Sequence, residues 1–109
     1  MFDAKQEVFA ALADPNRRAI IEILVDDGAK TATQLDDDLP ITRQGISKHL
    51  NILADAGLVT VVQRGRDKFY YLTPEPLEET AVWIAAVSAR WDERLNKLHD
   101  LVEGEQDSP

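Results

Sequence analysis

The stretch Thr42-Arg-Gln-Gly-Ile-Ser-Lys-His-Leu-Asn-Ile-Leu-Ala-Asp-Ala-Gly57 decides how this chain folds. Three of its large apolar residues recur four and three positions apart, which is the spacing of one face of a helix: Ile46, Leu50 and Leu53. Threonine suits the position that caps the first turn of a helix, and glycine suits the left-handed position after the last turn. The stretch therefore predicts a helix from Thr42 to Ala56, with one apolar face buried and Gly57 ending it.

The other side of this predicted helix carries cationic and neutral polar side chains and no carboxylate: Arg43, Gln44, Ser47, Lys48 and Asn51. Such side chains match DNA, because Arg pairs with guanine, Gln and Asn pair with adenine, and Ser and Lys reach bases or phosphates. A face that is merely solvated would carry both signs of charge in a chain with 20 acidic residues. The pattern therefore indicates a DNA-reading helix that Thr42 caps.

Three shorter helices are predicted before the reading helix. The nearest begins at Thr31 and Gln34, which have the three-residue spacing of a capping box, and it runs to about Asp38 before Pro40 interrupts the chain. Asp14-Pro15 begins another helix that reaches about Asp27 and ends at Gly28, and the first helix spans Asp3 to Leu12. A short helix, a tight turn and a longer helix form a helix-turn-helix arrangement.

The residues after the reading helix predict a β-hairpin, or wing. Leu58 to Arg64 is rich in β-branched residues, Lys68 to Leu72 holds three aromatic residues, and Gly65-Arg66-Asp67 lies between them. Three cations fall at the hairpin tip, where a wing beside a helix-turn-helix meets phosphates or the minor groove: Arg64, Arg66 and Lys68. A solubilising charged turn is the alternative interpretation, and the reading helix beside it makes that interpretation the weaker one.

The last part of the chain predicts a long helix from about Glu75 to Glu103. Its residues form a seam with spacings of four and three: Leu77, Ala81, Ile84, Ser88, Trp91, Leu95, Leu98 and Val102. The helix would be roughly 40 Å long, which exceeds the width of so small a domain. We therefore expect a homodimer through the terminal helices, which Phe2, Val8 and Phe9 could join; the alternative is that the seam is core within one chain.

Composition sets the remaining bounds. The 109 residues predict one domain over residues 1–103 and a disordered tail over 104–109. The net charge is −8, yet residues 42–71 hold five basic and two acidic residues, so this segment carries +3 and the remainder −11. Any nucleic-acid site must therefore be a local basic patch. The chain has no cysteine, which excludes disulfides, thiolate catalysis, zinc fingers and iron–sulfur clusters.

Neither a membrane span nor a secretory leader is visible in the sequence, so we expect a soluble cytoplasmic protein with no membrane partner. An enzyme is disfavoured, because there are two histidines, no thiol, no phosphate loop and no convergent acid–base pair. Ser47 and His49 lie two positions apart on a helix and point away from each other. No cofactor is expected.

Two acidic clusters and an arginine pair have open interpretations. Asp36-Asp37-Asp38 is read as a solvated corner rather than a cation site, because neighbouring helical carboxylates diverge. Asp92, His99 and Glu103 share a face of the last helix and are either ordinary surface residues or, with a dimer mate, a metal site. Arg17-Arg18 either contacts DNA backbone or pairs with Asp14 or Glu22.

Four segments between residues 3 and 102 resemble the ArsR-type (ArsR/SmtB-like) winged helix-turn-helix transcriptional regulators: Ala11-Leu-Ala-Asp-Pro-Asn-Arg-Arg18, Ile46-Ser-Lys-His-Leu50, Leu53-Ala-Asp-Ala-Gly-Leu58, and Gly65-Arg66 with Tyr70-Tyr71-Leu72. The resemblance implies a dimeric repressor that binds a double-stranded, two-fold symmetric operator and is released by an inducing signal, either a small molecule or a protein. By position, the reading helix of the family falls on Thr42 to Ala56 and its wing on Arg64 to Lys68.

The chain departs from the metal-sensing members of that family. The third helix reads Thr33-Gln-Leu-Asp-Asp-Asp-Leu39, without the cysteines of one kind of sensor, and the last helix has one histidine where another kind has a pair. The resemblance is therefore to the branch that does not sense metals, with a small apolar ligand near Trp83 and Trp91 as one candidate signal. The alternative function is a winged-helix protein-interaction module that does not bind specific DNA.

Overall fold

Four helices, a two-stranded hairpin and a long fifth helix follow one another in this computed structural model, which describes residues 4–106 and the side chains of residues 5–104. In chain order the elements are α1 (Ala4–Leu12), α2 (Pro15–Asp27), α3 (Ala32–Asp38), α4 (Arg43–Asp55), β1 (Val59–Arg64), β2 (Asp67–Leu72) and α5 (Glu75–Gln106). The predicted fold class, a mainly helical winged helix-turn-helix, is confirmed. Residues up to Glu78 form one compact unit, and residues from Glu79 form a second.

Side-chain caps begin three of the helices. The predicted cap residues each accept backbone N–H groups: Asp14 from Asn16 and Arg17, Thr31 from Gln34, and Thr42 from Gly45. The side-chain oxygen of Gln34 also accepts the N–H of Thr31 at 2.9 Å, which completes the capping box. These bonds satisfy N–H groups that a helix start leaves without a partner, so the predicted starts of α2, α3 and α4 are confirmed.

The core of the first unit lies where the helices and the base of the hairpin meet. Its buried members are Val8, Ala11, Ile20, Ile21, Leu24, Leu35, Ile46, Leu50, Leu53, Leu58 and Val59. The stripe that defines α4 has no exposed surface at Ile46, Leu50 or Leu53, as predicted. Val8 is 1% exposed, so its predicted part in a dimer contact is wrong. Phe9 is exposed, and Phe2 lies outside the described residues.

The hairpin turn is shorter than the sequence predicts. Arg64 is in register with Asp67, which leaves only Gly65 and Arg66 in the turn rather than three residues. Gly65 has φ +61°, a conformation that suits the first position of a two-residue hairpin turn and that favours glycine. Asp67 therefore belongs to β2, and the strand lengths match at six residues each.

Lys30 fastens the hairpin to the connection between α2 and α3. Its backbone exchanges two hydrogen bonds with Tyr70 in β2, of 3.0 and 2.8 Å. Its ammonium lies 3.0 Å from the carboxylate of Asp38 and 3.3 Å from that of Asp27. The hydrogen bond to Asp38 is the main reason that the pKa of Lys30 is raised. Asp38, one member of the predicted acidic corner, therefore forms an ion pair with Lys30 of the preceding connection.

The helix α5 is longer than expected. It continues to Gln106, so it includes residues 104–106, which the sequence assigns to a tail, while residues 107–109 lie outside the described part. Gly104 costs a helix only about 1 kcal/mol relative to alanine, which is too little to end one by itself. None of the helices within residues 4–106 combines the length and the apolar character that a membrane crossing requires.

Candidate nucleic-acid interface

The face of α4 opposite the buried stripe is exposed to solvent. Its exposed members are Arg43, Gln44, Ser47, Lys48 and Asn51, and the capping residue Thr42 is exposed beside them. They project from a helix whose other side is locked into the core, so their positions relative to the first unit are fixed by packing. From Arg43 to Asn51 this face presents cations and hydrogen-bonding groups without a carboxylate.

Arg43 makes a contact that the sequence does not predict. Its guanidinium donates a hydrogen bond from Nη2 to the hydroxyl of Thr33 in α3. The bond links the two helices of the helix-turn-helix on their exposed side and holds the Arg43 side chain toward α3. No local spacing rule finds this pair, because the two residues lie ten positions apart on different helices.

A cleft of about 240 Å³ lies between α3, the start of α4 and the hairpin tip. We call it the basic cleft; its lining includes Thr33, Arg43, Arg66, Asp67, Lys68 and Tyr70. Three cations and one carboxylate give it a net charge of +2. Two of the three wing cations that the sequence groups together are therefore joined here by Arg43 of the reading helix.

Arg64, the third wing cation, is placed differently. It lines a separate groove of about 520 Å³ together with Ala29, Val62, Phe69 and Tyr71. Val62 and Phe69 are directly paired across the hairpin, so this groove follows one face of the sheet. The cations of the hairpin tip therefore serve two surfaces, although they lie within five residues of one another.

Arg17 of α2 joins three helices. Its Nε donates to the carbonyl of Ala11 at 2.7 Å, and its Nη2 donates to the carbonyl of Ala10 at 3.1 Å. Its Nη1 lies 3.2 Å from Nδ1 of His49 in α4. Because a guanidinium only donates, Nδ1 of His49 must accept, and the ring proton then sits on Nε2. Most of the N–H donors of Arg17 thus bond within the protein. This agrees with the interpretation that Arg17 makes contacts within the protein and not with the DNA backbone.

Asp14 supports this arrangement from the start of α2. Its carboxylate lies 3.9 Å from Nη1 of Arg17 and caps the helix. Partial burial acts to raise the pKa of Asp14, but the N–H groups of Asn16 and Arg17 and the charge of Arg17 act against it, so the pKa is lowered. Arg18 instead donates to the carbonyl of Leu12 at 2.6 Å.

One of the remaining polar clusters is partly engaged in a local contact. On α5, His99 lies 2.9 Å from the carboxylate of Glu103, one turn further along the helix, whereas Asp92 takes no part in this pair. Within the described residues, no group of three or more histidine, aspartate or glutamate side chains is placed to hold a metal ion. His49 is half-buried and bonds to Arg17.

Known proteins are similar to this chain in both sequence and architecture. A family model described as a helix-turn-helix domain matches residues 12–62, from the end of α1 into β1. An ArsR-like transcriptional regulator from Rhodococcus sp. RHA1 superimposes with a TM-score of 0.85 at 37% identity, covering 93% of this chain and 92% of the other. An HTH-type transcriptional regulator of Mycobacterium tuberculosis is 32% identical over 97% of this chain and 95% of its own.

A third relative, the transcriptional repressor SdpR of Bacillus subtilis, is 34% identical over 71% of this chain and 84% of its own. Fold, exposed reading helix and relatives define a winged helix-turn-helix transcriptional regulator that binds DNA. Within that class, the chain belongs to the ArsR family of regulators. Proteins of this family are regulators and not enzymes, so the enzyme alternative is set aside.

Proposed function

We propose that this protein is a homodimeric repressor that binds an operator of two-fold symmetry through α4 and the wing. The observation that carries the proposal is the exposed face of α4, which has no carboxylate from Arg43 to Asn51 and stands on a stripe with no exposed surface. In a chain of net charge −8, a face exposed only to water has no need to lack carboxylates, whereas a face that binds a polyanion does.

Each part of this surface has a role in the proposal. Gln44, Ser47, Lys48 and Asn51 enter the major groove, where amide and cationic side chains recognise base edges. Thr42 holds the first turn of α4 and thereby the angle at which these side chains enter. The wing cations Arg64, Arg66 and Lys68 contact phosphates, and Arg43 contacts DNA beside them.

The dimer rests on α5. Seven of the predicted seam residues are exposed: Ala81, Ile84, Ser88, Trp91, Leu95, Leu98 and Val102. Trp91 is 60% exposed and Leu98 is 56% exposed, which is unusual for large apolar side chains spaced along one helix stripe. A second copy of α5 would cover this stripe. Leu77, in contrast, packs against the core of its own chain, and we leave it out of the proposed seam.

Selection of bound duplexes from a random DNA pool tests this function. We expect an enriched motif of two inverted half-sites whose centres are about one helical turn apart, because a two-fold dimer places two α4 helices in successive major grooves. Gln44→Ala should change the preferred base within each half-site. Gln63→Ala, in the wing and outside α4, is the matched control and should leave the motif unchanged.

Two further measurements separate repression from other outcomes. A reporter whose promoter overlaps the selected motif should fall in expression when the protein is produced. Recovery of no enriched motif, together with no salt-dependent binding to duplex DNA, would overturn the proposal and favour a protein-interaction module.

A further inference from the structure

We infer that the basic cleft holds one phosphate of the DNA backbone and that Arg43 binds this phosphate rather than reading a guanine. The inference rests on the proposed function, because it assigns a particular contact within the proposed DNA surface. It differs from what the sequence suggests, since an arginine at the start of a reading helix is ordinarily expected to read a base edge.

Arg43 is held at one side of the basic cleft. Its guanidinium is hydrogen-bonded to the hydroxyl of Thr33 and lines the basic cleft. Of the five N–H groups of an arginine, that bond uses one, so four stay available to an anion between α3 and the wing. In a helix-turn-helix the first helix crosses the DNA backbone while the second lies in the groove. A guanidinium held against the first helix is therefore placed at the backbone.

The opposite wall of the cleft carries two cations from the hairpin tip. Arg66 and Lys68 approach from the hairpin tip, and among the residues that the structure describes neither side chain makes a hydrogen bond or an ion pair. Their charges are therefore not neutralised within the described part of the chain. Two elements that are distant in sequence thus present cations to one space.

The size and the charge of the cleft both suit a phosphate group. Its accessible volume of about 240 Å³ leaves room for a phosphate group with ordered water, since roughly 10–15 Å³ of such space holds one water molecule. A phosphodiester carries one negative charge and acceptor oxygens, which suit guanidinium and ammonium donors. The carboxylate of Asp67 also lines the cleft and opposes an anion there, so it limits the affinity without reversing the sign of the field.

A scan with methylphosphonate linkages tests the assignment, because each such linkage removes the charge of a single phosphate. The probe is the duplex that the wild-type protein selects, substituted at one backbone position at a time. We expect one position in each half-site where substitution weakens wild-type binding by about tenfold, as for the loss of one charge-assisted hydrogen bond. In Arg66→Ala and in Arg43→Ala, binding should be weaker overall and nearly insensitive to substitution at that same position.

Three variants provide matched controls. Arg64→Ala removes the same charge from the same hairpin, but outside the basic cleft, and should keep the full tenfold sensitivity at the assigned position. Asp67→Asn should tighten binding to the unmodified duplex and leave the sequence motif unchanged. Thr33→Val keeps Arg43 but removes its anchor, and should weaken binding by less than Arg43→Ala. Circular dichroism serves to check that each variant is folded.

The outcomes distinguish this inference from the proposed function. If the wild-type protein binds its selected duplex but Arg43→Ala and Arg66→Ala keep full sensitivity at every position, the phosphate assignment is wrong and the proposed function stands. Relaxed base preference at a single position in Arg43→Ala, with unchanged methylphosphonate sensitivity, would show that Arg43 reads a base. A wild-type protein that selects no duplex overturns both.

Discussion

The guanidinium of Arg17 bonds to the carbonyls of Ala10 and Ala11 in α1 and to His49 in α4, so one side chain from α2 fixes how three helices meet. Replacing it with methionine keeps much of the apolar stem but removes the donor to the carbonyl of Ala11 and to the ring nitrogen of His49, both partly buried, whereas the carbonyl of Ala10 keeps the N–H of Ala13. We expect Arg17→Met to lower the free energy of unfolding by about 2–3 kcal/mol, as for unsatisfied partly buried polar groups. Urea unfolding at neutral pH measures the change.

Arg18→Met is the control for this substitution, because Arg18 is the neighbouring arginine and makes one exposed bond, to the carbonyl of Leu12. Its loss should cost about 1 kcal/mol or less. Equal destabilisation by the two substitutions would contradict the role assigned to Arg17.

The ionisation of Asp14 makes the stability of the fold depend on pH. Its pKa is lowered in the folded protein, so its charge stabilises the fold above the unfolded value of 3.8, and that contribution is lost as the pH falls through the folded pKa. Asp14→Asn retains an oxygen that caps α2 but removes the charge. The variant should therefore be less stable than the wild type at about pH 7, and the difference should shrink toward zero at about pH 2. A difference that persists unchanged in acid would show that the charge is not its cause.

The bonds at this scale divide sharply by sequence separation. The caps at Asp14, Thr31 and Thr42 were predictable, because each involves partners two or three positions apart along the chain. The bonds of Arg17 to His49 and of Arg43 to Thr33 span 32 and ten positions, and they depend on how helices pack. The candidate surface was predictable as a set of residues, whereas its division into two grooves was not.

Among the elements, α4 contains a glycine where propensity alone disfavours one. Gly45 lies in the first turn, and a Cβ there would come within 2.7 Å of a methyl group of Ile41 and 3.2 Å of the hydroxyl of Thr42. The methyl group is attached close to the backbone and has little freedom to move. Gly45→Ala should therefore displace the capped start of α4 and lower the free energy of unfolding by about 1–3 kcal/mol. Thermal unfolding measures this, and DNA affinity should fall with it.

Gly104→Ala in α5 is the matched control, because the new methyl group meets nothing within 4 Å. In a helix this exchange stabilises by up to about 1 kcal/mol. An unchanged or higher melting temperature for Gly45→Ala would refute the steric requirement at that position.

Element boundaries followed from local signals wherever a capping residue or proline was present. They failed at the hairpin turn and at the end of α5, for different reasons. The turn lost Asp67 to β2 because the register pairs it with Arg64, a cross-strand relation that the residues of the loop do not reveal. The helix passed Glu103 because Gly104 is a weak stop signal when helical residues follow it.

For the molecule as a whole, the proposed dimer makes the exposed apolar stripe of α5 the determinant of assembly. Trp91→Glu places a charge in the proposed seam and should yield a monomer of 12.2 kDa in sedimentation velocity at micromolar concentration, whereas the wild type should sediment at about twice that mass. Val82→Glu, at a position that is 70% exposed and off the seam, is the control and should leave the dimer intact. A wild-type monomer, or dissociation by both variants alike, would contradict the seam.

The charge distribution is also a property of the whole molecule. The net −8 combines +3 over residues 42–71 with −11 over the rest of the chain. The proposed DNA-binding segment and the remainder of the chain thus carry opposite net charges, and we expect the acidic remainder to disfavour binding orientations that bring it to the phosphates. Composition alone suggests a poor DNA ligand, and only the distribution along the chain indicates otherwise.

Two copies of this chain are proposed to bind one two-fold symmetric duplex through paired α4 helices. Sedimentation of the selected duplex saturated with protein measures this binding most directly. We expect two protomers on each duplex. Because each half-site supplies its own base contacts, scrambling one half-site should weaken binding at least tenfold. A single bound protomer whose affinity is unchanged by scrambling the second half-site would contradict it.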